Sequence, residues 1–339
     1  MIIDSHGHYT TAPAGMQIFR ATQIAFLGNP VKHPVSVSDD EIRASLDTGQ
    51  LKLQNERGTD VALFSPRASH MGHHFGDERI SRNWTEVSND LIARVAGIYP
   101  DRFIGVAALP QSPKLQSIQG CVDELERCVT DLGFVGCNLN PDPSGGYWQD
   151  PPLSDEFWYP LYEKMVELDV PAMIHGSGTC NPALHTTGSH YMNVDNTGMY
   201  QLMDSTILQD FPGIRFILPH GGGSLPFQYA RFQGLSIMAK REPLEDWVKK
   251  IYFDTAIYSQ DAVELLIKKV GVDNVLFASE MIGGVQAVDP ATGRQFDDTK
   301  PYLDEIEWLT DEDKVKLFET NVQKVYPRMK PYMDKIAQA

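Results

Sequence analysis

Five side chains in this sequence have the types and placement for metal-assisted chemistry. His6 and His8 stand two apart in Asp4-Ser5-His6-Gly7-His8, so in an extended chain both imidazoles fall on one side. His175 closes the run Val170-Pro-Ala-Met-Ile-His175, and His220 closes Phe216-Ile-Leu-Pro-His220 ahead of Gly221-Gly222-Gly223. Glu280 closes Val275-Leu-Phe-Ala-Ser-Glu280. Neutral imidazoles with one carboxylate suit Zn²⁺ or a similar divalent ion, and a catalytic ion keeps a position open for water or substrate. His6, His8, His175 and Glu280 are the expected ligands. Such an ion lowers the pKa of bound water toward ~7 and neutralises developing negative charge. His220 is then the expected acid–base or polarising group. Asp254, in Tyr252-Phe-Asp254-Thr255, is either an acceptor that orients a ligand imidazole or a partner for backbone.

These residues need a frame that brings distant segments together. Short apolar runs recur at Ile2–Ser5, Val61–Ser65, Phe103–Leu109, Phe134–Leu139, Ala172–His175, Arg215–Pro219, Tyr252–Thr255 and Val275–Ser279. Most lack polar/apolar alternation, as strands buried on both faces do. Amphipathic helices are expected at Trp84–Ile98, Leu115–Leu132, Ser154–Leu168, Thr197–Gln209, Pro226–Lys240, Ser259–Val270 and Thr310–Val325. The alternation predicts an α/β chain, a single (β/α)8 TIM barrel domain over residues 1–339. The candidate ligands then fall at the C-terminal strand ends, where barrels keep their active sites. Residues 9–50 and 281–305 exceed the minimal repeat and are expected as loop insertions over that face.

The composition, 42% hydrophobic and 22% charged, is that of a globular chain. A net charge of -16 argues against nucleic-acid or anionic-membrane partners. No apolar run reaches the ~18 residues of a membrane span, and the first residues lack the pattern of a signal peptide. Cys121, Cys128, Cys137 and Cys180 form no CxxC pair, which suits reduced thiols in a cytoplasm. Arg67 and Arg231 are candidates either for carboxylate capture or for surface ion pairs. His70, His73 and His74 are expected in a solvated or lid-forming loop. His185 and His190 flank another loop, from which Tyr191 could reach the site as a proton donor. Trp148 and Trp158 suit either an interface or a core.

With its ordered motifs, the chain resembles the amidohydrolase superfamily. It is most similar to the branch holding aminocarboxymuconate-semialdehyde decarboxylase and γ-resorcylate decarboxylase. The opening His6-Gly7-His8, Leu161-Tyr162 through His175, Phe211-Pro-Gly-Ile-Arg-Phe-Ile-Leu-Pro-His220-Gly-Gly and Asn321-Val322 through Tyr326 carry the likeness over nearly the whole chain. The fourth run, Phe134–Asn140, has no lysine, so one ion is implied rather than a carbamate-bridged pair. Glu280 stands where the decarboxylases usually carry Asp, and Met281-Ile282 replaces their aromatic-Pro continuation. That combination is similar to the 4-oxalomesaconate hydratases.

The resemblance implies Zn²⁺ on His6, His8, His175 and Glu280, and hydration of a C=C in an unsaturated oxo-tricarboxylate from protocatechuate or gallate catabolism. Glu280 would deprotonate water, His220 would protonate the enolate carbon with help from Tyr191, and Arg67 and Arg231 would hold carboxylates. A homo-oligomer is implied as well. The alternatives are non-oxidative decarboxylation, hydrolysis of an amide or lactone, and a non-catalytic barrel that binds an acidic metabolite.

Overall fold

The apolar runs become strands because both of their faces are covered. In the computed structural model, which describes residues 1–27 and 35–338, every residue of Ile3–Tyr9 (β1) and Val61–Pro66 (β2) is buried. Phe103–Gly105 (β3) and Ala107–Ala108 (β4) are two pieces of the third barrel strand. Cys137–Leu139 (β5), Ala172–Ile174 (β6), Phe216–Leu218 (β7), Tyr252–Asp254 (β8) and Val275–Leu276 (β9) follow. All neighbours pair in parallel, in the orders β1-β2-β3 and β4-β5-β6-β7-β8-β9.

The two ladders meet on both sides. Val106 N–H donates to Phe64 O while Ala107 N–H donates to Gly136 O, each at 2.9 Å, so the third strand changes partner within two residues. Ser5 N–H donates to Phe277 O at 2.9 Å and joins the first strand to the residue after β9. Ile3, Leu63, Ile104, Val135, Met173, Ile217 and Leu276 fill the interior as one apolar cluster. Val322, Val325, Tyr326 and Met329 from the C-terminal segment close it below. The architecture is a (β/α)8 barrel.

The insertion expected over residues 9–50 is helical rather than a loop. Ala14–Ala25 and Asp39–Thr48 are helices, the second started by a Ser38/Glu41 capping box and anchored by buried Ile42 and Leu46. Residues 28–34 of that insertion lie outside the described residues. The 281–305 insertion is mostly turns, with an isolated bridge between Val288 and Gln295, and ends in the helix Lys300–Asp304.

Two helix expectations shift. The helix expected at Thr197–Gln209 runs from Tyr191 to Met203, because a π-helical turn at Thr186–His190 feeds directly into it. Thr310–Val325 keeps its capping box but contains a π-helical turn at Lys316–Thr320. Of the two alternatives for Trp158 the structure takes the core: it is 1% exposed and its indole N–H donates to Pro151 O at 3.0 Å. No described helix is long and apolar enough to cross a membrane.

Candidate active site

The placement of His6 and His8 depends on an irregularity in β1. Ile3 pairs with Val61 and Asp4 with Ala62, but Gly7 pairs with Phe64, so Ser5 and His6 stand opposite Leu63 alone. Strict alternation from the inward-facing Ile3 would turn both histidines toward the surrounding helices. The extra residue reverses the parity and sends them into the barrel mouth. Gly7, between them, must lack a side chain: a Cβ there would lie 2.7 Å from Leu63 O. Asp4 ties this strand end to the Glu280 segment. Its Oδ1 accepts from His6 N–H at 3.0 Å and Ser279 N–H at 3.1 Å, while Ser279 Oγ donates to Oδ2.

Each inner imidazole is oriented by the partner of its Nδ1. His6 Nδ1 lies 2.7 Å from Asp254 Oδ2, and His175 Nδ1 lies 2.7 Å from the carbonyl of Gly176. Both partners can only accept, so both nitrogens carry the proton. His8 Nδ1 is 2.7 Å from Ser65 Oγ, which also accepts from Asn138 Nδ2 at 3.1 Å and donates to Pro66 O at 3.1 Å. Three Nε2 atoms converge: His6 to His8 at 3.1 Å and His8 to His175 at 3.2 Å. Imidazole nitrogens gathered this closely form a donor set that would suit a divalent cation. Burial first, then the neighbouring imidazoles, holds His8 well below 6.5 and takes His175 to about 3, so both stay neutral. Asp254, although buried, is kept ionised by His6. It takes both of its expected roles, since Oδ2 orients the ring while Oδ1 accepts from Ala256 N–H at 3.1 Å.

Glu280 and His220 face this centre from two irregular loops. Glu280 Oε1 is 3.8 Å from His8 Nε2, and Oε2 is 3.6 Å from His220 Nε2. His6, His175, His220 and Glu280 each offer a ligand atom, all within 4.8 Å of one another. His8 nevertheless completes the donor set better than His220 does. The rings of His6, His8 and His175 are mutually 4.9 Å apart, whereas His220 lies 5.4–5.5 Å from His6 and His175. Burial alone would hold His220 neutral, but Asp195, 2.9 Å from Nδ1, and Glu280 outweigh it and raise its pKa well above 6.5. A protonated imidazole has no lone pair for an ion. Burial opposes the charge on Glu280 as well, yet His220 and the other imidazoles pull its pKa well below 4.5.

A cleft opens over these groups as two chambers of about 400 and 300 Å³ that share Tyr191 and Glu280. Tyr191 stacks on His220 at 6.3 Å, 9° from parallel, and meets His175 edge-on. Arg67, His70 and His185 line the smaller, more polar chamber, so Arg67 stands where a carboxylate would enter. Arg231 does not. It is exposed on the helix Tyr229–Met238, whose buried residues are Phe232 and Ser236, and it bonds to Gln228. Its expected role in carboxylate capture is withdrawn. His73 is buried against Gln111 O, so it does not belong to a solvated loop, and His190 is buried at the end of the π-helical turn Thr186–His190. Asp195 and Tyr258, whose hydroxyl donates to Glu280 Oε2 at 2.8 Å, were not singled out from the sequence. Each lies more than twenty residues from its partner, with no motif to link them.

The amidohydrolase family model matches residues 3–328. A 2-keto-4-carboxy-3-hexenedioate hydratase from a Sphingobium species is 48% identical over 332 residues, 97% of each chain. The solved structure of 4-oxalomesaconate hydratase from Rhodopseudomonas palustris superposes with a TM-score of 0.91 at 46% identity, covering 100% of this chain and 99% of that one. A γ-resorcylate decarboxylase from a Polaromonas species is 26% identical, over 68% of this chain and 75% of its own. The chain belongs to the amidohydrolase family. Within it, the chain is an enzyme of the hydro-lyase type.

Proposed function

We propose that this hydro-lyase is a zinc-dependent hydratase of 4-oxalomesaconate or a closely similar unsaturated oxo-tricarboxylate, serving the catabolism of protocatechuate or gallate. The observation that carries the reading is Glu280, a carboxylate held ionised between the cluster of His6, His8 and His175 on one side and the cationic His220 on the other. The full-length likeness to two hydratases supports it. Zinc held by His6, His8, His175 and Glu280 would lower the pKa of water and neutralise negative charge developing on substrate oxygen.

The protein groups account for the proton movements. Glu280 takes one proton from water, whose oxygen bonds to the alkene carbon. The π pair moves to the neighbouring carbon, in conjugation with the oxo group. His220, charged and braced by Asp195, protonates that carbon, with Tyr191 stacked beside it as an auxiliary donor. The proton on Glu280 then returns to His220 across 3.6 Å, which restores both groups. Arg67 holds a substrate carboxylate from the polar chamber. The same reading carries a cytoplasmic enzyme built from identical subunits.

The test is turnover of unsaturated oxo-tricarboxylates in isotope-labelled water, followed by loss of conjugated absorbance. Incorporation of one labelled oxygen is expected. Release of CO₂ without incorporation would overturn hydration in favour of decarboxylation.

A further inference from the structure

Tyr258 lies on the cleft wall after β8, and the proton movements above do not use it. Two features hold its hydroxyl in place. Its backbone sits at φ +64°, a left-handed conformation unfavourable for a side chain of this size. At Gly284 a Cβ would come within 1.9 Å of the Tyr258 hydroxyl, so the seat exists only because residue 284 has no side chain.

The hydroxyl makes the two oxygens of Glu280 unequal. Oε2 accepts from Tyr258 at 2.8 Å and faces His220 at 3.6 Å, whereas Oε1 faces His8 Nε2 at 3.8 Å. The terminal torsion of a glutamate is broad and nearly two-fold, so an untethered carboxylate offers an ion either oxygen, or both. We propose that Tyr258 is a positioning residue: it commits Oε2 to itself and His220, so that Glu280 offers a bound ion Oε1 alone and keeps Oε2 as the proton acceptor. This rests on the reading of Glu280 as both ligand and base.

The experiment replaces the ion by Co²⁺ in the full-length protein and records its visible d–d spectrum without substrate, alongside kcat and KM. Tyr258→Phe keeps the ring and removes the hydroxyl. It should weaken the cobalt bands, as an added carboxylate oxygen raises the coordination number, and lower kcat about 10–100-fold with KM little changed. Gly284→Ala, which displaces the hydroxyl without removing it, should shift the spectrum in the same direction. A Tyr258→Phe protein with the parent cobalt spectrum overturns the proposal whatever its kcat, because a merely structural loss would lower activity without altering coordination. If the parent protein fails to hydrate any oxo-tricarboxylate, the hydratase reading falls. The cobalt spectrum still decides the role of Tyr258.

Discussion

Two halves of the site use the same residue type in opposite charge states. His6, His8 and His175 sit in a strand or one residue past it, with their Nδ1 atoms bonded to a carboxylate, a hydroxyl and a carbonyl. His220 and Glu280 sit in loops at φ +52° and +49°, conformations that cost a non-glycine residue roughly 1–3 kcal/mol each. Gly221, Gly222 and Gly223, all at positive φ, let the chain turn sharply after His220. In the first half burial wins, and His8 and His175 are held neutral. In the second, two carboxylates outweigh burial and His220 is held charged. A strand with a single bulge, without left-handed residues, suffices to gather the imidazoles for an ion. Placing an ionised base beside a cationic acid took strained backbone, which the packed surroundings must stabilise.

The comparison can be broken where the halves meet. Glu280→Gln removes the base while keeping an oxygen for the ion. Turnover should fall about 10³-fold or more, with metal still bound, as read by kcat and metal analysis. Activity within about tenfold of the parent would take Glu280 out of the proton transfer. His220→Asn tests the charged half alone: kcat should drop by roughly 10²–10³ with metal content unchanged. Loss of the metal instead would make His220 a ligand and merge the two halves.

Smaller effects sharpen the division. Asp254→Asn leaves the His6 ring in place but weakens its orientation and basicity, so zinc affinity measured by chelator competition should fall about 10–100-fold. Excess zinc should then restore kcat. Arg67→Met reaches neither half. It should raise KM by roughly tenfold, the loss of one charge-assisted hydrogen bond of about 1.5 kcal/mol, with kcat nearly constant. A fall in kcat alone would place Arg67 in the chemistry.

Much of the frame was legible because buried parallel strands announce themselves as apolar runs. The eight strand runs, the site at their C-terminal ends and the set His6, His8, His175, His220 and Glu280 could all be written down from spacing and residue type. The helical insertion at 14–25 and 39–48 was obscured by its mixed composition, although Ser38-x-x-Glu41 was a readable start signal. Arg231 misled because helical position is angular: Phe232 and Ser236 face the protein, and a neighbour turned about 100° away faces solvent. Asp195 and Tyr258 were invisible because nothing local connects them to the groups they touch.

The opening His6-Gly7-His8 shows where sequence ends and tertiary structure begins. Two residues two apart on an extended chain share a side whatever the fold, so the pairing of the imidazoles follows from spacing alone. Which side they share follows from the bulge between Asp4 and Gly7. That bulge is set by the register against β2 and by Asp4 bridging to Ser279 at the far end of the chain. One residue of register moves both imidazoles from the helix layer to the barrel mouth, because side chains in a strand alternate with a period of two.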